Sequence, residues 1–205
     1  MVGAVAAIAV CYVGVLLALI ISGHFAAGFL SLSLFASGGQ IVCGLAAIAL
    51  LGRGSWRESF ARLCSAEDLL VGLAMGLLGF AVSMLYVNGL QALFAADEWQ
   101  VDDLGASLPV LILSVVILPP LVEEWLDRGV LWVALSRVSG PRVTIFCTAL
   151  LFAFCHGLNG GGGLEVPHRF AVGLAFGWAR HRSGSLLPGI VGHTLLNSLA
   201  LATAY

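Results

Sequence analysis

Apolar residues run along this chain in blocks at 2–22, 28–51, 69–96, 108–136, 142–158, 164–180 and 185–204, with short polar joints between them. A helix rising 1.5 Å per residue crosses the ~30 Å hydrocarbon core of a bilayer in about 20 residues. The pattern therefore predicts an all-α fold, a polytopic transmembrane helical bundle of about seven helices. The second block is interrupted by "ASGGQ", and the sixth is marginal.

The joints carry an orientation signal. Arg53, Arg57 and Arg62 follow the second block, Arg137 and Arg142 the fourth, and Arg180 and Arg182 the sixth. These are alternate joints, hence one side of a membrane. The joint after the third block holds Asp97, Glu98, Asp102 and Asp103 and no arginine. Arginine-rich joints are retained in the cytoplasm, so the expected topology is multi-pass in the cell membrane with a cytoplasmic N-terminus.

Composition agrees with the pattern. Sixty per cent of the 205 residues are apolar, 10% are charged, and the mean hydropathy is +1.04. Seven crossings leave too little chain for a separate soluble unit, so residues 1–205 read as a single transmembrane domain. The net charge of -2 and the absence of lysine offer no basic field, which excludes nucleic acid as a partner. Membrane lipids are the expected surroundings. The five cysteines have no CxxC spacing and read as small buried hydrophobes. The first block lacks the basic start of a secretory signal and reads as a retained helix. Pairs of small residues, Gly72 with Gly76 and Gly173 with Gly177, predict close helix packing inside the bundle.

The chemistry begins at "LPPLVEEWLDRG", residues 118–129, where two glutamates, an aspartate and an arginine interrupt a lipid-compatible block. An ionisable side chain at mid-membrane costs at least about 2.5–3.5 kcal/mol, so each needs a partner or a water-filled cavity. Glu124 and Arg128, four apart, share a helix face and can pair. Glu123 and Asp127 form a second stripe with no base on it. Pro119 and Pro120 remove two backbone donors and free carbonyls that also need partners. His156 in "FAFCH", with Phe152 one turn earlier, and His193 with Asn197 in "HTLLN" supply polar groups on two further helices. Counted from the nearest arginine joint, Glu123 and His156 both lie about 21 Å deep and His193 with Asn197 about 12–18 Å, so an intramembrane polar cavity can hold all four. Glu123 beside His156 can take a proton from water, and His193 and Asn197 can donate to an oxyanion. Alternatively, Glu123, His156 and His193 match a zinc set that would supply the activated water.

Three segments, "EEWLDRG", "FAFCH" and "HTLLN", resemble the EExxxRG, FxxxH and HxxxN signatures of the CPBP intramembrane proteases, which include the CAAX prenyl endopeptidases and the Abi proteins linked to bacteriocin processing and immunity. The resemblance spans 108–204, a motif-bearing catalytic core, and leaves 1–107 as variable N-terminal helices. It implies an endopeptidase acting on a peptide or membrane-protein substrate, with prenylated CAAX-like peptides as one class. It further implies that Glu123 and His156 activate water, that His193 and Asn197 form the oxyanion hole, and that Glu124, Arg128 and Phe152 support the site. Zinc is left open as a cofactor. Asp127 departs from the pattern, which usually has an aromatic or aliphatic residue there. A non-catalytic bacteriocin-immunity or scaffold protein is the alternative from another class, and a proton-coupled carrier a third.

Overall fold

The computed structural model describes residues 1–25, 28–52, 54–60, 65–94, 106–158 and 163–204. Among them the chain forms eight helices: α1 (Val2–Phe25), α2 (Phe29–Leu51), α3 (Ser55–Phe60), α4 (Ala66–Phe94), α5 (Leu108–Ser136), α6 (Pro141–His156), α7 (Val166–Ser183) and α8 (Leu187–Ala204). Each predicted block becomes a helix, and α3 is added in the joint after the second. Five helices, α1, α2, α4, α5 and α8, are long and apolar enough to cross a membrane. α6 is apolar but only 16 residues long. α7 is not among the five because it carries His168, Arg169, Arg180, His181 and Arg182, of which His168 and Arg180 turn out to be buried inside the bundle. Arg53, Arg62, Cys64, Asp97, Glu98, Asp102 and Asp103 lie outside the described residues.

The expected interruption at "ASGGQ" does not occur, since α2 runs unbroken from Phe29 to Leu51. Two helical glycines cost roughly 1 kcal/mol each relative to alanine, and close packing is what they permit: a Cβ on Gly39 would stand 2.5 Å from that of Ala18 on α1. The same logic sets the far side of the bundle. A Cβ on Gly72 would lie 2.6 Å from the Pro188 carbonyl oxygen, and one on Gly76 2.5 Å from that of Gly192. α4 and α8 thus touch backbone to backbone. Gly173 lets α7 meet α6 at Ala149 in the same way. The small-residue pairs serve packing inside the bundle, as the spacing predicts.

The apolar core lies among α1, α2, α5 and α6, where Cys11, Val15, Ala47, Leu126, Val130, Leu131 and Leu151 are buried. A second, smaller cluster of Phe152, Val172, Phe176 and Leu196 sits beneath the polar centre. The Tyr12 hydroxyl donates to the Cys147 carbonyl and ties α1 to α6. Apolar side chains left exposed on the outside, such as Leu17, Val42, Leu77, Leu121 and Phe146, face where lipid would be. At one end of the bundle, Arg137 donates to the Leu51 carbonyl, Ser55 and Glu58, and Arg182 pairs with Glu67. The ends of α2, α5 and α7 therefore gather at one end, in agreement with the alternation of the arginine joints.

Candidate active site

Proline sets up the site. In a regular helix the N–H of residue 119 would bond the carbonyl of Val115, and in a π-helical turn that of Ser114. Pro119 has no N–H to give, and the stretch just before the prolines, Ile112–Ile117, is wound as a π-helix. Both freed carbonyls are taken by side chains from other helices. Asn197 Nδ2 on α8 donates to the Val115 oxygen at 2.8 Å, and Ser33 Oγ on α2 to the Ser114 oxygen at 3.1 Å. The break in α5 is thereby the joint at which α2 and α8 are pinned.

One turn further along α5, Glu123 opens onto a cavity of about 260 Å³. Its polar lining is Ser33, Ser37, Gln40, Ser114, Glu123, His156, Arg169 and Asn197. Glu123 Oε2 lies 4.0 Å from His156 Nε2 and 4.0 Å from His193 Nε2, and no donor among the described residues bonds it. His156 Nδ1 is 2.9 Å from the Phe152 carbonyl, an acceptor only, so Nδ1 carries a proton, and Nε2, an acceptor when the ring is neutral, faces Glu123. His193 sits behind, 1% exposed, with Nδ1 3.3 Å from Glu124 Oε1.

The support beneath is a buried arginine. Arg128 is fully buried, with Nη1 3.0 Å from Glu124 Oε1, Nη2 donating to the Gly173 carbonyl, and its guanidinium 4.7 Å from the Phe152 ring centre. Phe152 also packs on both histidines, with ring centres 4.5 Å from His156 and 5.5 Å from His193. Gly189 keeps room for Glu124, since a Cβ there would fall 2.4 Å from Oε2. A second π-helical stretch, Trp125–Leu131, accompanies this pair, and the Arg128 carbonyl accepts from Arg180 Nε. Arg180, read from sequence as a joint residue, is thus buried within the bundle.

Seven of the eight expected residues come together around this centre: Glu123, His156 and Asn197 at the cavity, and His193, Glu124, Arg128 and Phe152 behind it. Asp127 does not join them at the cavity. It is buried 3.6 Å from Arg128, within electrostatic reach of Glu123 on its own helix and of Cys11, Tyr12 and Cys155 on α1 and α6. The sequence reading passed over Arg169 and the face Ser33, Ser37, Gln40. Their spacing of four and three residues is a helical stripe, a signal hidden by treating "ASGGQ" as a break.

The zinc alternative fits these residues poorly. Donors sharing a tetrahedral zinc at ~2.0–2.1 Å stand about 3.3 Å apart, whereas Glu123 is 4.0 Å from either histidine. The described residues hold no group of three His, Cys, Asp or Glu side chains arranged for a metal.

A protein-family model described as Type II CAAX prenyl endopeptidase Rce1-like matches residues 105–199. Over this stretch, just under half of the chain, the sequence is similar to the CAAX prenyl endopeptidases. No curated protein and no solved structure matches it. The long apolar helices are those expected of a multi-pass membrane protein, and the matched family is one of intramembrane CAAX-type proteases, which are hydrolases. The matched segment contains α5 to α7 and most of α8, while one wall of the cavity, Ser33, Ser37 and Gln40, comes from α2 outside it.

Proposed function

We propose that this protein hydrolyses a peptide bond inside the membrane with water activated by Glu123 and His156. The observation that carries the reading is the unpartnered Glu123 oxygen facing His156 Nε2 at the edge of a polar cavity. A water held there gives one proton to Glu123 and hydrogen-bonds His156 Nε2 with the other. Its oxygen attacks the carbonyl carbon, and negative charge moves to the carbonyl oxygen. Asn197 has two N–H groups on Nδ2. One holds the Val115 carbonyl, and the second is available to the oxyanion; His193 Nε2 joins it as a donor only when the ring is protonated on both nitrogens, since Nδ1 faces the Glu124 carboxylate. The proton on Glu123 then passes to the leaving nitrogen as the C–N bond breaks. Glu124 and Arg128 hold His193 and the α5–α7 contact in place. No step needs a metal.

Membrane-embedded peptides, with prenylated CAAX-like peptides as one class, are the substrates we infer, cleaved in the cell membrane with the N-terminus cytoplasmic. The test compares Glu123→Gln with the wild type on such a peptide in liposomes. Loss of the general base should lower kcat by about 10²–10⁴-fold while accumulation in the membrane is unchanged. A chelator should leave the wild-type rate as it is. Cleavage that survives Glu123→Gln overturns this mechanism.

A further inference from the structure

The wall of the cavity that α2 supplies has no part in the mechanism above. Ser33, Ser37 and Gln40 recur at helical spacing, and all three line the space onto which Glu123 opens. Ser33 is taken by the Ser114 carbonyl. Ser37 and Gln40 are not committed in this way, and no hydrogen bond from either side chain is found among the described residues. Gln40 is 4% exposed and Ser37 6%, so nearly all of each is covered by protein, and what remains open faces the cavity. Two ties between α2 and α5 set their level. Ser33 meets Ser114, 81 positions later, and a Cβ on Gly44 would stand 2.6 Å from the Trp125 ring at the same offset. The two helices therefore run side by side in one direction. Gln40 stands level with Leu121, about 3 Å along the axis from Glu123.

A peptide bond inside a membrane is protected by its helix, in which the backbone N–H and C=O groups are already paired. Hydrolysis needs a stretch of substrate to unwind, and each unwound residue then brings an N–H and a C=O into a cavity of about 260 Å³ that must answer them. In an extended chain these two groups of one residue point to the same side, which is how a residue in an antiparallel ladder exchanges two bonds with its neighbour. A carboxamide carries the complementary pair, an oxygen that accepts and an NH2 that donates. An ionised carboxylate can answer only the N–H. Two carboxamides line the cavity, and Asn197 already holds the Val115 carbonyl with one of its hydrogens, which leaves Gln40 as the uncommitted amide among the described residues. Resting on the hydrolytic reading, we propose that Gln40 is a substrate-binding residue that pairs with both the N–H and the C=O of one unwound substrate residue beside the scissile bond. The α2 wall then holds the substrate extended next to Glu123. Recognition of this kind reads main chain and is indifferent to substrate side chains.

The experiment uses the full chain in liposomes and a set of membrane-anchored peptides in which one amide at a time, the scissile one excepted, is replaced by an ester. Each replacement removes one N–H and keeps the shape of the chain. Loss of one hydrogen bond of this kind is worth about tenfold. The wild type should therefore show a kcat/KM about tenfold lower for the ester at one position beside the cut, and little change for esters elsewhere. Gln40→Met, of similar length and without an amide, should cleave the all-amide peptide about tenfold more slowly and treat the ester at that position as it treats the amide. If Gln40→Met fails to accumulate, Gln40→Asn gives the same reading, because it keeps the amide but draws it back by one methylene. Binding of the peptides to the Glu123→Gln variant separates recognition from chemistry, with the ester at that position expected to bind more weakly. A wild type that handles every ester as it handles the amide overturns the proposal while leaving hydrolysis standing. So does a loss of rate in Gln40→Met that leaves the discrimination against the ester intact, since a glutamine that merely supports the packing of α2 would act that way. Cleavage that persists in Glu123→Gln overturns the hydrolytic reading, and the proposal with it.

Discussion

Arg128 cannot reach water, and its partners come from three helices: Glu124 and Asp127 on its own, the Gly173 carbonyl on α7 and the Phe152 ring on α6. Arg128→Leu leaves Glu124 as a buried acid beside His193 alone and strands a carbonyl. Breaking a buried pair from one side costs about 3–5 kcal/mol. The expected result is a lower Tm in detergent and low accumulation, and a variant that accumulates normally yet loses activity would reassign Arg128 to the chemistry. This pair was legible from the spacing of four alone. Asp127 was not. It shares a stripe with Glu123 and its charge reaches that carboxylate, but its contact with Arg128 and its reach to Cys11 and Cys155 on α1 and α6 show only in the assembled bundle. Arg180 misled for a related reason. An arginine near a helix end reads as a surface charge, and only the assembled bundle shows the Arg128 carbonyl that it caps.

Among the elements, α5 shows what a helix break is for. The prolines were legible as a source of unpaired carbonyls, but a sequence does not say which side chains will reach them. Pro119→Ala returns an N–H to the ladder, and that N–H competes with Asn197 for the Val115 oxygen. We expect kcat to fall about tenfold as the asparagine loses its anchor, since small displacements of a positioned group are costly in rate, with Tm unchanged or higher. Unchanged turnover would show that Asn197 needs no anchoring. α2 teaches the opposite lesson. Its serines, glycines and glutamine looked like an interruption because each is unfavourable in a lipid-facing helix, whereas here Gly39 faces α1 and Ser37 and Gln40 face the cavity. Local composition cannot separate those two cases; the face each residue occupies can.

At the scale of the molecule, apolar block length made the helices legible, while the two shorter or more polar blocks show where length stops being a guide. α6 and α7 carry His156, Arg169 and Arg180, and they owe their place to packing against neighbours more than to hydropathy. Sidedness remains a matter of charge. In a cysteine-free background, Arg57→Cys and Ser107→Cys, both exposed positions, should react with impermeant reagents from opposite faces of the membrane, the first from the cytoplasm. Reaction of both from one face would overturn the topology. The pinning of α2 and α8 onto the break in α5 also has a meaning in time. Ribosomal synthesis delivers α2 early, α5 midway and α8 after both, and His193 and Asn197 ride on that later helix. On the proposed mechanism, until α8 has threaded into the bilayer and seated its asparagine, the nascent chain would have a base without an oxyanion pocket, and hydrolysis would begin only when assembly is finished.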